Sequence, residues 1–176
     1  MSKSTVAIVF SVLALVGSCV SGVLTFVAWR SSQATILALQ TAIDALSYRD
    51  AHGKTIADHT KAIRIDPQNA VAYFNRGCIY AELGDRDKAI ADYSEAIRLH
   101  PRDVIPYQHR GVTYSIKGDY DKAIADYTEA IRLSPNFSLV YYQRGMAYKN
   151  KGENGKAEAD FAEAKKRGYS PAPNER

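Results

Sequence analysis

The sequence has 176 residues and a formal net charge of +4, with 23 Lys and Arg against 19 Asp and Glu. Basic and acidic residues are interleaved throughout, so no basic stripe emerges and nucleic-acid binding is not expected. The two cysteines, Cys19 and Cys78, fall in a predicted membrane segment and on a predicted helix, which argues against an internal disulfide.

The first predicted element is a membrane anchor within residues 1–30. Residues 6–29 contain no charged side chain, and a helix of that length spans about 36 Å, enough for the ~30 Å hydrocarbon core. Lys3 and Arg30 flank the segment, and Trp29 stands where an interfacial aromatic is expected. The apolar stretch is longer than that of a cleavable signal peptide. We expect a single-pass protein of a bacterial inner membrane, with a slight charge asymmetry placing the repeats in the periplasm.

A second interpretation of the N-terminus involves Cys19. The stretch LVGSC that ends there resembles a bacterial lipoprotein signal, in which the cysteine is acylated. In that case the chain would be an envelope lipoprotein acting as a structural subunit or assembly factor of a membrane machine. Residues 20–29 remain apolar, whereas a lipoprotein usually continues with a polar tether. Three small residues of the anchor are spaced by four: Ala14, Ser18 and Gly22. This spacing could allow weak self-association of the anchor, although such residues are common in membrane segments.

Residues 31–69 are predicted to form a linker helix and a degenerate repeat that caps the array. Ile36, Leu39, Ile43 and Leu46 fall on one helical face. Their heptad spacing is also compatible with a coiled coil, but the stretch is short. We expect a helix that covers the apolar side of the next one, because the end of a repeat array is otherwise exposed.

The rest of the chain is periodic, with a repeat of about 34 residues that is typical of a solenoid. The segments 70–103 and 104–137 match each other at more than half of their positions, 138–168 form a third copy, and 36–69 match only in their second half. Glycines mark a mid-unit turn and prolines follow each unit's second helix: Gly84, Gly118 and Gly152; Pro67, Pro101 and Pro135. The pattern predicts an all-α solenoid of helix–turn–helix units. The tail, residues 169–176, should fray.

The second copy carries a recognisable set of small and aromatic residues: Tyr107, Gly111, Tyr114, Ala123, Tyr127, Ala130 and Pro135. With this pattern and period, the chain resembles the tetratricopeptide repeat family from about residue 36 to 168. The resemblance implies an α-solenoid scaffold for protein binding rather than an enzyme. One departure is systematic, because Arg76, Arg110 and Arg144 stand where the family usually has Leu.

These arginines have possible partners at the same period. Asp58, Asp92, Asp126 and Asp160 recur in the second helices. A half-buried Arg extends its stem along apolar surface and seeks a carboxylate. We therefore predict a structural Arg–Asp ladder. Pairing within a unit would join Arg76 to Asp92, whereas pairing between neighbours would join Arg76 to Asp58.

The resemblance also implies a concave groove lined by the first helix of each unit. The residues placed there are mainly apolar, with three polar side chains: Phe74, Cys78, Gln108, Val112, Tyr142, Met146 and Lys149. Such a groove suits an amphipathic helix or an extended apolar peptide. Val71, Ile105 and Leu139 either join this surface or pack between neighbouring helices.

Catalytic and metal-binding patterns are missing from the sequence. His52, His59, His100 and His109 lack the spacing of metal ligands, and no cysteine is close enough to join them. There is no phosphate-binding loop, no serine-nucleophile motif and no isolated carboxylate pair. We expect no enzymatic activity, no cofactor and no bound metal.

Overall fold

A computed structural model of the chain describes residues 22–170. Within that range the chain is entirely α-helical outside its turns, and no strand is present. The helices, in chain order, are α1 (Gly22–Ile65), α2 (Ala70–Glu82), α3 (Arg86–Leu99), α4 (Val104–Lys117), α5 (Tyr120–Leu133), α6 (Ser138–Asn150) and α7 (Asn154–Lys166).

The chain divides into two compact units, with the division between Asp50 and Ala51. Most of the predicted anchor, residues 6–21, lies outside the described residues, as do Ala14, Ser18 and Cys19. Across residues 22–170, no helix combines the length and apolar character needed to cross a bilayer.

The degenerate repeat differs from its expected form. A helix–turn–helix was expected in residues 36–69, but α1 runs through this segment without a turn. The sequence explains the difference, because Asp50 occupies the place of the turn glycine Gly84, and Ile43 occupies that of Gly77. Without the first glycine the tight turn is disfavoured, and without the second a paired helix cannot approach closely.

In the second compact unit, which begins at Ala51, three helix pairs repeat the same local structure: α2 with α3, α4 with α5, and α6 with α7. Each pair is joined by a turn in which a glycine adopts a left-handed conformation, for example Gly118 with φ of +81°. That region is open to glycine at no steric cost. Asp103 caps α4 by accepting a hydrogen bond from the Ile105 amide at 3.1 Å. The predicted helix–turn–helix units are therefore present from residue 70 to 166.

Within each pair the two helices touch through a glycine and an aromatic ring. A Cβ built on Gly111 would lie 2.7 Å from Cε1 of Tyr127, and one on Gly145 would lie 2.6 Å from Cε1 of Phe161. Glycine in a helix costs about 1 kcal/mol relative to alanine, but at these positions the methyl group of an alanine would not fit. Alanines of the second helices fill the rest of the core, each at most 2% exposed: Ala89, Ala96, Ala123, Ala130, Ala157 and Ala164.

The last helix is tied to the unit before it by Arg167. Its Nε donates to the carbonyl oxygen of Pro135 at 2.7 Å, and its guanidinium lies 4.4 Å from the centre of the Tyr141 ring. Arg167 also forms an ion pair with Glu163 on α7. This residue, C-terminal to α7, therefore holds the end of the array to the preceding repeat.

Candidate functional site

The arginines at the unusual repeat position pair with aspartates of their own unit. Arg76 donates from Nε and Nη2 to the two carboxylate oxygens of Asp92, at 2.8 and 2.7 Å. The same two-pronged contact joins Arg110 to Asp126. It recurs in the third unit as Arg144 with Asp160. All three aspartates are buried, between 6 and 7% exposed. Bidentate geometry of this kind is among the strongest side-chain hydrogen bonding in proteins.

The remaining donor of each arginine reaches the preceding unit. Nη1 of Arg110 donates to Oγ of Ser94 at 2.8 Å, and the equivalent acceptors for Arg76 and Arg144 are Thr60 and Thr128, both at 3.0 Å. The contact between neighbours is thus made with a hydroxyl and not with an aspartate. Sequence reasoning missed these hydroxyls, although they recur with the same period.

Asp58, the fourth predicted member, is exposed and forms no ion pair within the described part of the chain. Each paired aspartate follows its arginine at the same spacing in the sequence, as Asp92 follows Arg76. At that spacing before Asp58, the residue is Ala42 instead of an arginine. The degenerate repeat has therefore kept the acceptor and lost the donor.

Tyrosine rings complete the surroundings of these arginines. The guanidinium of Arg76 lies 5.7 Å from the centre of the Tyr73 ring and 6.0 Å from that of Tyr80. Its hydrogen bonds to Asp92 raise the pKa of Arg76, with burial opposing them. The arginine therefore stays charged and enclosed, and its donors point into the scaffold rather than towards a ligand.

The predicted groove residues all lie on the first helices, α2, α4 and α6. These helices contact one another in sequence, so they form one face of the array. Lys149 is exposed, whereas the other six side chains are half-buried: Phe74, Cys78, Gln108, Val112, Tyr142 and Met146. Of the three residues predicted either to join this surface or to pack between helices, Val71 and Ile105 are 62% and 40% exposed and Leu139 is half-buried.

One end of this face is an aromatic cluster around His109. The Phe74 ring meets the His109 ring edge-on, with centroids 5.1 Å apart, and the Tyr93 ring lies 5.8 Å from each. Sγ of Cys78 is 4.0 Å from Nδ1 of His109. Burial lowers the pKa of His109 and raises the pKa of the Cys78 thiol, so both groups are uncharged at neutral pH. The period could not reveal this ring cluster, because the position of His109 holds a different residue in each repeat.

The other end of the face is more polar. Nε2 of Gln108 donates to Oε1 of Gln143 at 3.1 Å, which links α4 to α6. The Tyr142 ring lies 5.5 Å from that of Phe161 and 4.6 Å from that of Tyr169, with tilted planes. Tyr169, from the segment after α7, therefore covers part of a predicted groove residue, a contact that the period could not reveal.

This surface has the chemistry of a binding face. Among residues 22–170, no group of three or more His, Cys, Asp or Glu is placed to hold a metal ion. The three buried aspartates, Asp92, Asp126 and Asp160, are engaged by arginine. What remains is an apolar and aromatic face with amide and phenol groups, suited to complementary side chains.

Comparison with known proteins agrees with this architecture. Four family models described as tetratricopeptide or TPR repeats match residues 70–103, 93–125, 113–152 and 139–167. No curated protein matches the sequence significantly. A crystal structure of MamA is similar at 29% identity and a TM-score of 0.62, covering 64% of this chain and 66% of that chain. A second MamA structure gives 27% identity and a TM-score of 0.64 over 72% and 74% of the two chains.

A further similar structure is the second TPR domain of Spaghetti (RPAP3), described as bound to the HSP90 peptide SRMEEVD. It shares 27% identity with a TM-score of 0.53 over 55% of this chain and 90% of that chain. The four matched segments together cover residues 70–167, more than half of the sequence. The chain belongs to the tetratricopeptide repeat family, as a protein-interaction module.

Proposed function

We propose that this chain is a membrane-anchored scaffold whose concave groove binds an amphipathic helix or an extended apolar peptide of a partner protein. The observation that carries this proposal is the face made by α2, α4 and α6. The six half-buried residues of the predicted groove, from Phe74 to Met146, include no charged side chain, and Lys149 is the exposed cation at its end.

The chemistry of the face favours apolar over charged partners. Phe74, Val112 and Met146 offer apolar contact, and the unbranched thioether of methionine adapts to irregular surfaces. Gln108 and Tyr142 supply hydrogen-bonding groups that can orient a backbone. A helix with apolar residues at every third and fourth position would match this arrangement.

The groove also differs in charge from one built for an acidic peptide. His109 is neutral because burial lowers its pKa, and the arginines of the first helices are held by aspartates. The relative bound to SRMEEVD carries an acidic ligand. We expect that peptide to bind this chain weakly, and an apolar amphipathic helix to bind more tightly.

Site-specific photocrosslinking in membranes tests the groove. A photoreactive residue at Gln108 should give one discrete covalent adduct with a partner, whereas the same residue at Ala125, exposed on the second helix α5, should not. Val112→Glu should abolish the adduct because it introduces a charge into the apolar face. Lys149→Glu changes the charge of the groove at an exposed position, so it is a second variant that does not disturb packing. Equal adducts at Gln108 and Ala125, or none at either, would contradict the groove proposal.

Membrane anchoring through residues 6–29 is supported by their uncharged length and flanking residues. The full chain should remain in the membrane pellet after alkaline extraction, and a variant lacking residues 1–30 should not. Intact mass distinguishes the two forms of anchor: the unmodified full length indicates a spanning helix, whereas loss of residues 1–18 with added lipid indicates acylation at Cys19. Protease treatment of intact cells and spheroplasts then tests the proposed periplasmic orientation.

A further inference from the structure

The first half of the degenerate repeat carries an apolar seam that is largely exposed in the described part of the chain. We define the seam as Ile36, Leu39, Ile43 and Leu46. The last three side chains are 59, 50 and 62% exposed. Large apolar side chains at helical spacing normally pack against a partner, so the seam needs an occupant.

The identity and spacing of the seam residues select that occupant. Ile36 and Ile43 occupy the first position of successive heptads, and Leu39 and Leu46 occupy the fourth. Ile at the first position with Leu at the fourth favours two parallel strands over three or four. Because each copy of the chain presents the same seam, a second copy provides the matching partner.

The residues beside the seam allow two identical helices to approach. Along residues 35–47 the flanking positions of a parallel pair are Thr35, Gln40, Ala42 and Ser47, and none of these is charged; the next flanking position, beyond Leu46, holds Arg49. Two copies therefore bring no like charges together at the flanking positions of residues 35–47, which would otherwise oppose pairing. The seam ends where the next first position holds Asp50, since two carboxylates would meet at that level.

The charges of this segment also argue against a lipid surface as the occupant. Helices that lie on membranes usually have Lys and Arg along their polar face. Residues 34–48 contain no Lys or Arg, and their one charged residue is Asp44. An acidic and otherwise neutral helix has no electrostatic attraction to anionic lipid.

We propose that two copies of this chain pair through residues 36–46 as a short parallel coiled coil. The seam spans only two heptads, fewer than a coiled coil normally needs to be stable alone. Anchoring both copies in one membrane would raise their effective concentration and fix the parallel orientation. This last step rests on the proposed anchoring, whereas the pairing itself rests on the seam.

Cysteine crosslinking of the full chain in membranes tests the pairing. In a background with Cys19 and Cys78 replaced, Leu39→Cys should form a disulfide-linked dimer under mild oxidation. Thr41→Cys, on the opposite side of the helix, is the matched control and should crosslink several-fold less. Adding Ile43→Lys should suppress the Leu39→Cys dimer because it places two like charges in the seam. These positions are exposed, so the substitutions do not disturb a packed core.

Each outcome decides the proposal. No Leu39→Cys dimer, equal dimer at Thr41→Cys, or a disulfide to a different protein would overturn it. A particle containing three or four chains by light scattering in detergent would overturn the two-stranded assignment. Alkaline extraction of the same membranes reports separately on anchoring, so an anchored chain without crosslinks refutes the coiled coil alone, and an extracted chain with crosslinks refutes the anchor alone.

Discussion

Replacing Arg110 with Leu tests whether the ladder stabilises the array. Leu is the usual family residue at this position. Here the substitution would leave the Asp126 carboxylate without its bidentate partner, at 8% side-chain exposure, while Arg110 itself is 19% exposed. Removing one member of such a pair typically costs about 3–5 kcal/mol, and the partial exposure of Arg110 places the expectation near the lower end, at about 3 kcal/mol.

The assay is urea denaturation of the full chain in mild detergent, followed by circular dichroism at a helix-sensitive wavelength. Trp29 lies in the predicted anchor, so its fluorescence would not report on the repeats. Arg132→Leu is the matched control, because Arg132 pairs on the surface with Glu129 and surface pairs contribute little. Its unfolding midpoint should stay close to that of the parent.

A second substitution separates the charge from the packing. Adding Asp126→Ala to Arg110→Leu removes the unpaired carboxylate, so the double variant should recover about 1–2 kcal/mol relative to the single one. If Arg110→Leu unfolds with the same midpoint as Arg132→Leu, or if the double variant is less stable than the single one, the ladder does not stabilise the fold in the way its geometry indicates.

Three further predictions concern glycine and histidine. Gly111→Ala should destabilise the array by about 1–3 kcal/mol despite the higher helix propensity of Ala, because the new methyl would collide with Tyr127. A Cβ on Gly155 in α7 would meet no atom within 4 Å, so Gly155→Ala should stabilise the array by about 0.4–1 kcal/mol. The stability of both variants is measured by urea denaturation, and equal changes in stability would refute the role of close approach. Because the folded chain has a lowered pKa at His109, the unfolded chain binds the proton first, so stability should fall as pH drops below about 6.5. His109→Phe should reduce that dependence in a denaturation series across pH, and an unchanged dependence would exclude His109 as its source.

The repeating half of the fold could be predicted from the sequence because each copy meets the same neighbours. Gly111 beside Tyr127 and the turn at Gly118 are consequences of the period alone. The pairing of the ladder could not be chosen in advance, since Arg76 is separated from Asp92 ahead of it and from Asp58 behind it by similar lengths of chain. The side-chain geometry decides the pairing. Arg76 contacts the carboxylate of Asp92 within its own repeat and the hydroxyl of Thr60 in the preceding repeat.

The non-repeating contacts were harder to predict. Tyr169 on Tyr142 and His109 beside Phe74 occur once each, so no periodic signal marks them. The unbroken α1 does have a signal in the sequence. Ile43 and Asp50 stand where every other copy has glycine, and two glycines are what a close helix pair with a tight turn requires.

The same reasoning explains where the binding surfaces lie. A position that meets the same neighbour in every repeat keeps the same kind of side chain: the aromatic rings of Tyr93, Tyr127 and Phe161 lie against Gly77, Gly111 and Gly145. A position that faces outward has no such constraint, and Phe74, Gln108 and Tyr142 differ although they are equivalent in the repeat. The seam of α1 extends this rule to a whole half-repeat, in which Asp50 and Ile43 replace the turn and contact glycines and so disfavour a helix pair inside the repeat. Ile43 therefore both disfavours the internal helix pair and supplies the apolar contact for a second copy.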